Sequence, residues 1–273
     1  TEKEPHFFGK DITSNSMYIQ NLQEYLSLFS GLNGKKIIGE ASPWYLYSKV
    51  AAQDIKSFSP NAKIIIMLRD PVDAVYSLYR QLCFTGVETE GGFESALLLE
   101  DKRKKGECLP KKYIFPEALF YTEVYKYSEQ IERYIDTFGK ESVHIVLFED
   151  LKEGPIKTYK KIFKFLEVNQ DFVITPEYKN KNKIKANSFL TWLIKIKPKF
   201  VSIFLSYLKL KIPKLKEIIK QVKNLNIKEA PVRPLTDKIK LKTYQKFKDD
   251  IFKVEQIIKI NLSEWKKYEE TNK

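Results

Sequence analysis

The strongest hydrophobic pattern in the sequence lies between residues 63 and 81, where an unbroken apolar run precedes apolar residues at helical spacing. The run at 64–68 predicts a strand that is buried on both faces, as in a parallel sheet. Asp70 then occupies an N-cap position, and Pro71 occupies the first helical position, where its missing N–H costs nothing. We therefore predict a strand, a tight connection and a helix in succession.

The same kind of pattern predicts alternating strands and helices along the chain. Further strands are predicted at 36–40 and 143–148, and the second should bring Glu149 and Asp150 to the edge where the first strand ends. Helices are predicted at 48–58, at 93–105, at 116–139, from 155 onward and from 235 to 265. Strands alternating with helices indicate an α/β fold, a parallel sheet flanked by helices through right-handed crossovers.

Arg69 follows the strand at 64–68 at its carboxyl end, where ligands bind in open α/β sheets. Free N–H groups at the start of the next helix favour anions, so we predict an anion site here. Ser77 lies two helical turns past Asp70 on the same face, which lets a phosphate sit between the guanidinium and the hydroxyl. Two plainer interpretations stay open, in which Arg69 pairs with Asp70 and Ser77 packs on the sheet.

The segment LRDPVDAVYSLY, which contains Arg69 and Ser77, resembles the 3′-phosphate-binding element of sulfotransferases that use 3′-phosphoadenosine 5′-phosphosulfate (PAPS). EPHFF at 4–8 and GEASPWYLYS at 39–48 resemble two further segments of that family. The nearest likeness is to the bacterial branch that also resembles heparan-sulfate sulfotransferases, and it covers most of the chain outside 179–228. The resemblance implies a P-loop NTPase-like sulfotransferase fold, PAPS as co-substrate, adenosine 3′,5′-bisphosphate as product, and no metal.

The resemblance also assigns catalytic and binding roles. It implies that Arg69 and Ser77 hold the 3′-phosphate, that Glu4 is the catalytic base and that His6 is a second polar group at the catalytic position. Without the family, the pattern favours a surface acid at Glu4. Some relatives place a lysine directly after the glutamate of the GEASPWYLYS segment, where this chain has Ala41, so a transition-state cation must come from elsewhere.

The front of the chain departs from the family pattern. Sulfotransferases begin with a strand and a phosphate-cradling loop, usually with Lys and Gly before Thr or Ser, that holds the 5′-phosphosulfate. No Gly-rich loop with Lys-Thr or Lys-Ser occurs in this sequence. We expect the sequence as given to start after that loop, and a degenerate enzyme is the alternative that stays open.

The net charge of +13 is concentrated in residues 179–228, which contain 14 Lys, no Arg and one acid, Glu217. This segment is also rich in apolar residues, and we predict that it forms a basic helical insertion in a single domain spanning 1–273. We favour a basic rim on helices that cover the substrate. A dock for an acidic acceptor and an amphipathic element in peripheral contact with a membrane surface are the alternatives.

The function predicted from these features is transfer of a sulfonate from PAPS to a hydroxyl or amine of a carbohydrate, lipid or small-metabolite acceptor. The competing function is a polyanion-binding module that uses the lysines of 179–228. Lysine without arginine reads bases poorly, so no nucleic-acid partner is expected. A kinase is a nearer rival by fold, but the sequence shows no Walker-type loop.

Cysteine content and apolar runs bear on the compartment. Cys83 and Cys108 have no metal-ligand spacing and are predicted to be free thiols in a reducing compartment, with a single disulfide left open. No signal peptide and no apolar stretch of ~18 residues occurs, so we predict a cytoplasmic location. The acceptor and the oligomeric state are left open by the sequence.

Overall fold

The computed structural model describes residues 4–12, 18–32, 34–111, 115–172 and 233–272, together with the backbone of 183–185 and 227–229. The chain divides into two compact units. The larger consists of 1–176 with 235–273, and the smaller of 177–234.

The larger unit contains a parallel pair of strands, β1 (Ile64–Leu68) and β2 (Val143–Leu147). Their register places Ile64 opposite Val143 and Leu68 opposite Leu147, so both strands end at the same edge. The strand prediction at 64–68 is thus confirmed, and that at 143–148 is confirmed but for its last residue. The chain segments that follow the two strands leave the sheet side by side.

The α-helical elements that the structure describes in the larger unit pack against these strands and against one another. They are α1 (Leu22–Ser27), α2 (Ala51–Phe58), α3 (Pro71–Thr85), α4 (Phe93–Leu98), α5 (Glu100–Lys104), α6 (Tyr121–Val124), α7 (Ser128–Phe138), α8 (Phe148–Glu153), α9 (Pro155–Leu166), α10 (Asp237–Gln245), α11 (Lys248–Ile258) and α12 (Ser263–Lys266). Short 3₁₀ helices are formed by Pro43–Tyr45, Pro116–Leu119, Lys140–Ser142 and Lys267–Asn272.

Strand β1 is buried on one face only. Ile66 and Leu68 are 5% and 1% exposed and belong to the main core, whereas Met67 on the other face is 54% exposed. The prediction of burial on both faces is therefore wrong for the described part of the chain. On the same face of the sheet, Val146 of β2 is 3% exposed and the His144 ring stacks on Phe165 of α9, so this face is covered at β2 and open at Met67.

Helix α3 begins as its sequence predicts. The Asp70 carboxylate accepts a hydrogen bond of 2.9 Å from the N–H of Val72, and Pro71 is the first helical residue. Val72 and Val75 are fully buried against the core. The helix ends at Gly86, whose φ of 76° is a left-handed conformation that glycine adopts without a Cβ penalty. The helix is therefore fixed at both ends directly after β1.

No strand forms at 36–40, contrary to the prediction. Ile37 and Ile38 are 41% and 48% exposed, so the segment lacks the apolar burial that would favour its pairing in the sheet.

The helix predicted at 116–139 is broken into three shorter ones because a distant residue caps its last part. The Asp250 carboxylate of α11 accepts hydrogen bonds from the N–H groups of Tyr127 (2.6 Å) and Ser128 (3.2 Å), where α7 starts. The helix predicted at 235–265 is also broken. Lys259 adopts a left-handed conformation with φ 56° and ends α11.

A buried ion pair ties the loop after α3 to α5. The Arg103 guanidinium donates two hydrogen bonds to the Glu88 carboxylate, of 2.7 and 2.9 Å, and the Tyr121 hydroxyl donates a third of 2.6 Å. Both charged side chains are almost fully buried. This network fixes the chain that leaves the far end of α3.

In the smaller unit the structure describes β3 (Lys183–Lys185) and β4 (Ile227–Glu229), which pair antiparallel. The helices predicted for the rest of 179–228 lie outside the described residues. Among the residues that the structure describes, no helix has the length and apolar character needed to span a bilayer. Cys83 and Cys108 are free cysteines, as predicted.

Candidate functional site

Arg69 leaves the end of β1 toward solvent. Its carbonyl oxygen accepts a hydrogen bond of 3.2 Å from the Tyr127 hydroxyl, which fixes the backbone where the side chain departs. The guanidinium lies 5.1 Å from the ring centre of Phe148, and its side chain is 36% exposed. Its Nη2 is 3.6 Å from Asp73 Oδ2, longer than a hydrogen bond, and its buried Nε has no partner in the described structure. Arg69 therefore keeps donor capacity for a ligand.

Two N–H groups at the start of α3, where the sequence pattern predicted free donors, are already hydrogen-bonded. The Val72 N–H is taken by the Asp70 side chain, and the Ala74 N–H by the Asp70 carbonyl at 2.8 Å. The Asp70 N–H is donated to Glu149 Oε1 at 3.2 Å. An anion site here thus depends mainly on side chains, because the N–H groups of Asp70, Val72 and Ala74 already have acceptors.

Ser77 is exposed on α3. Asp73 and Ser77 are four residues apart and lie along one side of the helix. Arg69 precedes the helix, and its guanidinium lies near Asp73, which comes between the two predicted phosphate ligands in the sequence. We call Arg69, Asp73, Ser77 and the half-exposed ring of Phe148 the anion cluster. The alternative in which Ser77 packs on the sheet does not occur.

Asp70 is a buried carboxylate behind the anion cluster. It is 2% exposed, and burial raises its pKa to about 6, although the hydrogen bond from Tyr268 opposes the shift. Lys267 lies 3.7 Å away, at the same end of the site. The alternative in which Arg69 pairs with Asp70 is not observed, since the carboxylate of Asp70 is held by Val72, Tyr268 and Lys267.

Glu4 and His6 form a second cluster with Tyr18 and with residues of the segment 40–45. His6 Nε2 lies 4.0 Å from Glu4 Oε2, and the His6 side chain is 5% exposed while that of Glu4 is 39% exposed. Burial lowers the pKa of His6, and Glu4 opposes that shift only in part, so His6 is neutral at pH 7. Both residues have left-handed backbones, with φ of 65° and 50°. Strain of this kind in residues other than glycine concentrates at functional sites.

Glu40 is a residue of this second cluster that sequence reasoning did not select. Its Oε2 accepts a 3.0 Å hydrogen bond from the Ser42 hydroxyl, which in turn accepts a 3.0 Å hydrogen bond from the N–H of His6. Burial raises the pKa of Glu40, and the hydroxyls of Tyr45, Ser42 and Tyr25 oppose the shift. We call this set the turn cluster, and its members are Glu4, His6, Tyr18, Glu40, Ser42 and Tyr45.

Three buried polar atoms of the turn cluster have no hydrogen-bond partner in the described structure. They are His6 Nδ1, the Tyr18 hydroxyl and Glu40 Oε1. The rings of His6 and Tyr18 are in edge contact, with centroids 5.0 Å apart. Because buried polar atoms are normally satisfied, such a group marks a place where water or a ligand completes the hydrogen bonding.

A cavity of about 310 Å³ lies elsewhere, along β2. Its walls include Ile257 and Ile258 of α11 and His144, which the strand pattern places inside β2. Burial lowers the pKa of His144, whose ring stacks on Phe165. None of the four predicted site residues lines this cavity, and His144 behaves as a residue of the sheet.

Comparisons with known proteins agree with one another. A family model described as the sulfotransferase domain matches residues 52–199. A stretch of 68 residues is 37% identical to the membrane-associated sulfotransferase kil1 of Dictyostelium discoideum, and it spans 24% of this chain and 14% of that protein. The crystal structure of a sulfotransferase from Alicyclobacillus acidocaldarius matches with a TM-score of 0.69 and 25% identity, over 97% of this chain and 86% of that one. The family match includes Arg69 and Ser77 and begins beyond Glu4 and His6.

Proposed function

The chain belongs to the sulfotransferase family, and we propose that it moves a sulfonate group from PAPS to a hydroxyl or amine of an acceptor. The observation that carries the proposal is the partly exposed guanidinium of Arg69 at the end of β1, whose Nη2 lies 3.6 Å from Asp73, beyond hydrogen-bond distance. Carbohydrate, lipid and small-metabolite acceptors all contain the hydroxyl or amine that this chemistry requires.

The anion cluster suits the 3′-phosphate of the nucleotide. Arg69 offers a planar fork of donors that matches a phosphate in two-point contact, and the Ser77 hydroxyl is exposed on the same side of α3. The ring of Phe148 is 40% exposed beside the guanidinium, which allows a flat heterocycle to stack on it. These residues hold and orient the ligand and do not react with it.

Glu4 is proposed as the base that removes the proton from the acceptor. Its carboxylate is partly exposed, and its neutral neighbour His6 does not compete for it as a cation would. When bound, PAPS supplies the activated sulfonate and a stable bisphosphate leaving group. Direct in-line transfer then requires positioning and proton removal, with no covalent enzyme intermediate.

The 5′-phosphosulfate has no matching Gly-rich loop in the sequence. We therefore expect residues 1–273 to bind adenosine 3′,5′-bisphosphate weakly and to transfer sulfonate slowly. Each end of the nucleotide contributes to its affinity, so losing the contacts at one end weakens binding without abolishing it. Transfer, in contrast, requires the sulfonate to be held in line with the acceptor oxygen. Rapid transfer by this chain alone would contradict the placement of the site.

Calorimetry with two nucleotides tests the proposal. Adenosine 3′,5′-bisphosphate should bind more tightly than adenosine 5′-phosphate, and Arg69→Ala should abolish the difference. Equal affinities in the unmodified chain would remove the proposed function. Steeply salt-dependent binding of heparin without any nucleotide preference would instead favour the polyanion-binding alternative.

A further inference from the structure

We propose that Glu40 is the residue that positions the candidate catalytic turn, Glu4–Pro5–His6, and that it acts through Ser42. The assignment of this turn as catalytic rests on the function proposed above. The positioning itself is a property of the turn cluster and is tested separately.

The Ser42 hydroxyl has one proton to donate. It donates that proton to Glu40 Oε2 at 3.0 Å, and its lone pairs are then free to accept the His6 N–H, also at 3.0 Å. An ionised carboxylate is only an acceptor, so the direction of the two hydrogen bonds is fixed while Glu40 is ionised. The acceptor oxygen at position 40 therefore decides how Ser42 meets the backbone of the turn.

Tyr45 repeats this arrangement a few residues further on. Its hydroxyl accepts a 3.2 Å hydrogen bond from the N–H of Phe8, and the same hydroxyl interacts with the Glu40 carboxylate. The Glu40 carboxylate thus interacts with the hydroxyl groups of Ser42 and Tyr45. Each hydroxyl accepts a hydrogen bond from a backbone N–H of the segment 6–8. The segment is held from one side by a single residue.

The backbone of the turn needs this support. Glu4 and His6 have φ of 65° and 50°, conformations that persist only where the surroundings enforce them. A backbone hydrogen bond of 3.2 Å from the Ile19 N–H to the Pro5 carbonyl is a further tie, and Phe8 is buried beside it. The Phe8 burial anchors the segment, while the bond at His6 fixes the orientation of the turn itself.

The chain contains two histidines, so the imidazole of His6 is a natural reporter. The groups that face His6 are Glu4, Tyr18 and Tyr45. In the native turn burial holds the pKa of His6 below its ordinary value. If the turn loosens, the ring gains water, and its pKa should rise by about 0.5–1 unit. Loss of a nearby negative charge without loosening of the turn would instead lower the pKa of His6.

Histidine titration by NMR should therefore separate three variants. Glu40→Ala and Ser42→Ala each break the link to His6, and both should raise the pKa of His6. Glu40→Gln removes the charge but keeps an oxygen that accepts the Ser42 proton, so it should leave the pKa of His6 close to the wild-type value. His144, stacked on Phe165, is the internal control and should not move in any variant.

An unchanged His6 pKa in folded Glu40→Ala would overturn the proposal, as would an equal shift in Glu40→Gln. If Glu40→Ala fails to fold, Ser42→Ala, which removes a single oxygen atom, decides the question. Bisphosphate affinity measured on the same samples keeps the two proposals distinct. If the wild-type chain does not bind the bisphosphate, the proposed sulfotransferase function is wrong. The pKa of His6 in the variants would still test the role of Glu40.

Discussion

The Asp70 carboxylate accepts a hydrogen bond of 2.5 Å from the hydroxyl of Tyr268, a residue 198 positions further along the chain. This hydrogen bond fastens the C-terminal segment to the first residue before α3, directly behind Arg69. Asp70 therefore both caps α3 and is covered by the C-terminal segment.

Asp70 should make stability depend on pH in an unusual direction. Burial raises its pKa to about 6 in the folded protein, above the ordinary value near 3.9 in the unfolded chain. Between those values the folded state holds a proton that the unfolded state has lost. The free energy of unfolding should therefore decrease as pH rises from about 4 to about 6, by on the order of 2–3 kcal/mol.

Urea denaturation of the wild type and Asp70→Asn at pH 4.5 and pH 7 checks this expectation. The asparagine keeps an oxygen for the Val72 N–H and has no proton to exchange, so its stability relative to the wild type should improve at the higher pH. An identical difference at both pH values would show that Asp70 does not titrate in this range. Tyr268→Phe, which removes the hydrogen bond that opposes the shift, should steepen the pH dependence.

Arg69→Ala and Ser77→Ala should weaken binding of adenosine 3′,5′-bisphosphate while the fold stays intact. Removing a charge-assisted hydrogen bond from a partly desolvated site costs on the order of 1.5–3 kcal/mol, or tenfold and more in affinity. The serine variant should lose less than the arginine variant. Arg69→Lys is the matched control, because it keeps the charge but not the two-point geometry and should fall in between. Wild-type affinity in Arg69→Ala would remove the central role of the residue.

Asp73→Asn should strengthen bisphosphate binding. The Asp73 carboxylate lies 3.6 Å from the Arg69 guanidinium on the exposed side of α3, where a phosphate would also have to approach. Removing one negative charge next to a bound dianion should raise affinity by roughly threefold to tenfold at low salt. The gain should shrink as salt is added. Weaker binding in calorimetry would mean that Asp73 orients Arg69 for the ligand and does not compete with it.

Glu4→Gln tests the base in any form of the protein that transfers sulfonate. The amide keeps size and hydrogen bonding but does not take a proton, so turnover should fall by roughly 10²–10⁴-fold with nucleotide affinity unchanged. Product formation and bisphosphate binding are both measured, which separates chemistry from binding. Full turnover in this variant would move the role of base to another group, with His6 as the next candidate.

Glu88→Gln should destabilise the fold strongly. The side chain is buried and receives hydrogen bonds from Arg103 and Tyr121, so replacing the carboxylate leaves an uncompensated buried cation. Breaking one side of such a pair costs on the order of 3–5 kcal/mol. The double replacement Glu88→Gln with Arg103→Met should be much less destabilised than the sum of the two single variants. Additive losses in denaturant titrations would show that the two side chains are not coupled.

The fold around β1 and α3 could be predicted from local sequence patterns. The family resemblance and the α/β fold predicted from the sequence are confirmed by the family match at 52–199 and the structural match over 97% of the chain. Asp70 and Pro71 start α3 as their residue types indicate, because capping depends on neighbours in sequence.

Features set by distant residues could not be found in this way. The start of α7 is capped by Asp250, and the Asp70 carboxylate behind Arg69 is covered by Tyr268. Asp73 was visible in principle, since the sequence places a carboxylate between Arg69 and Ser77 and on the same helix side as Ser77. Glu40 became visible only when the fold brought it, through Ser42, to His6. The roles of Glu4, His6, Arg69 and Ser77 stay predictions.

The parallel pairing of β1 with β2 has a consequence for the biosynthesis of the protein. The Asp70 N–H and the Glu149 carboxylate that meet at the strand ends are 79 positions apart. At translation rates of about 5–20 residues per second, β1 leaves the ribosome on the order of 4–15 s before its partner strand does. During that interval a five-residue apolar strand is exposed along both edges, which favours association with other nascent chains. The yield of active protein in a cell should therefore depend on translation speed and chaperone supply as much as on the stability of the finished fold.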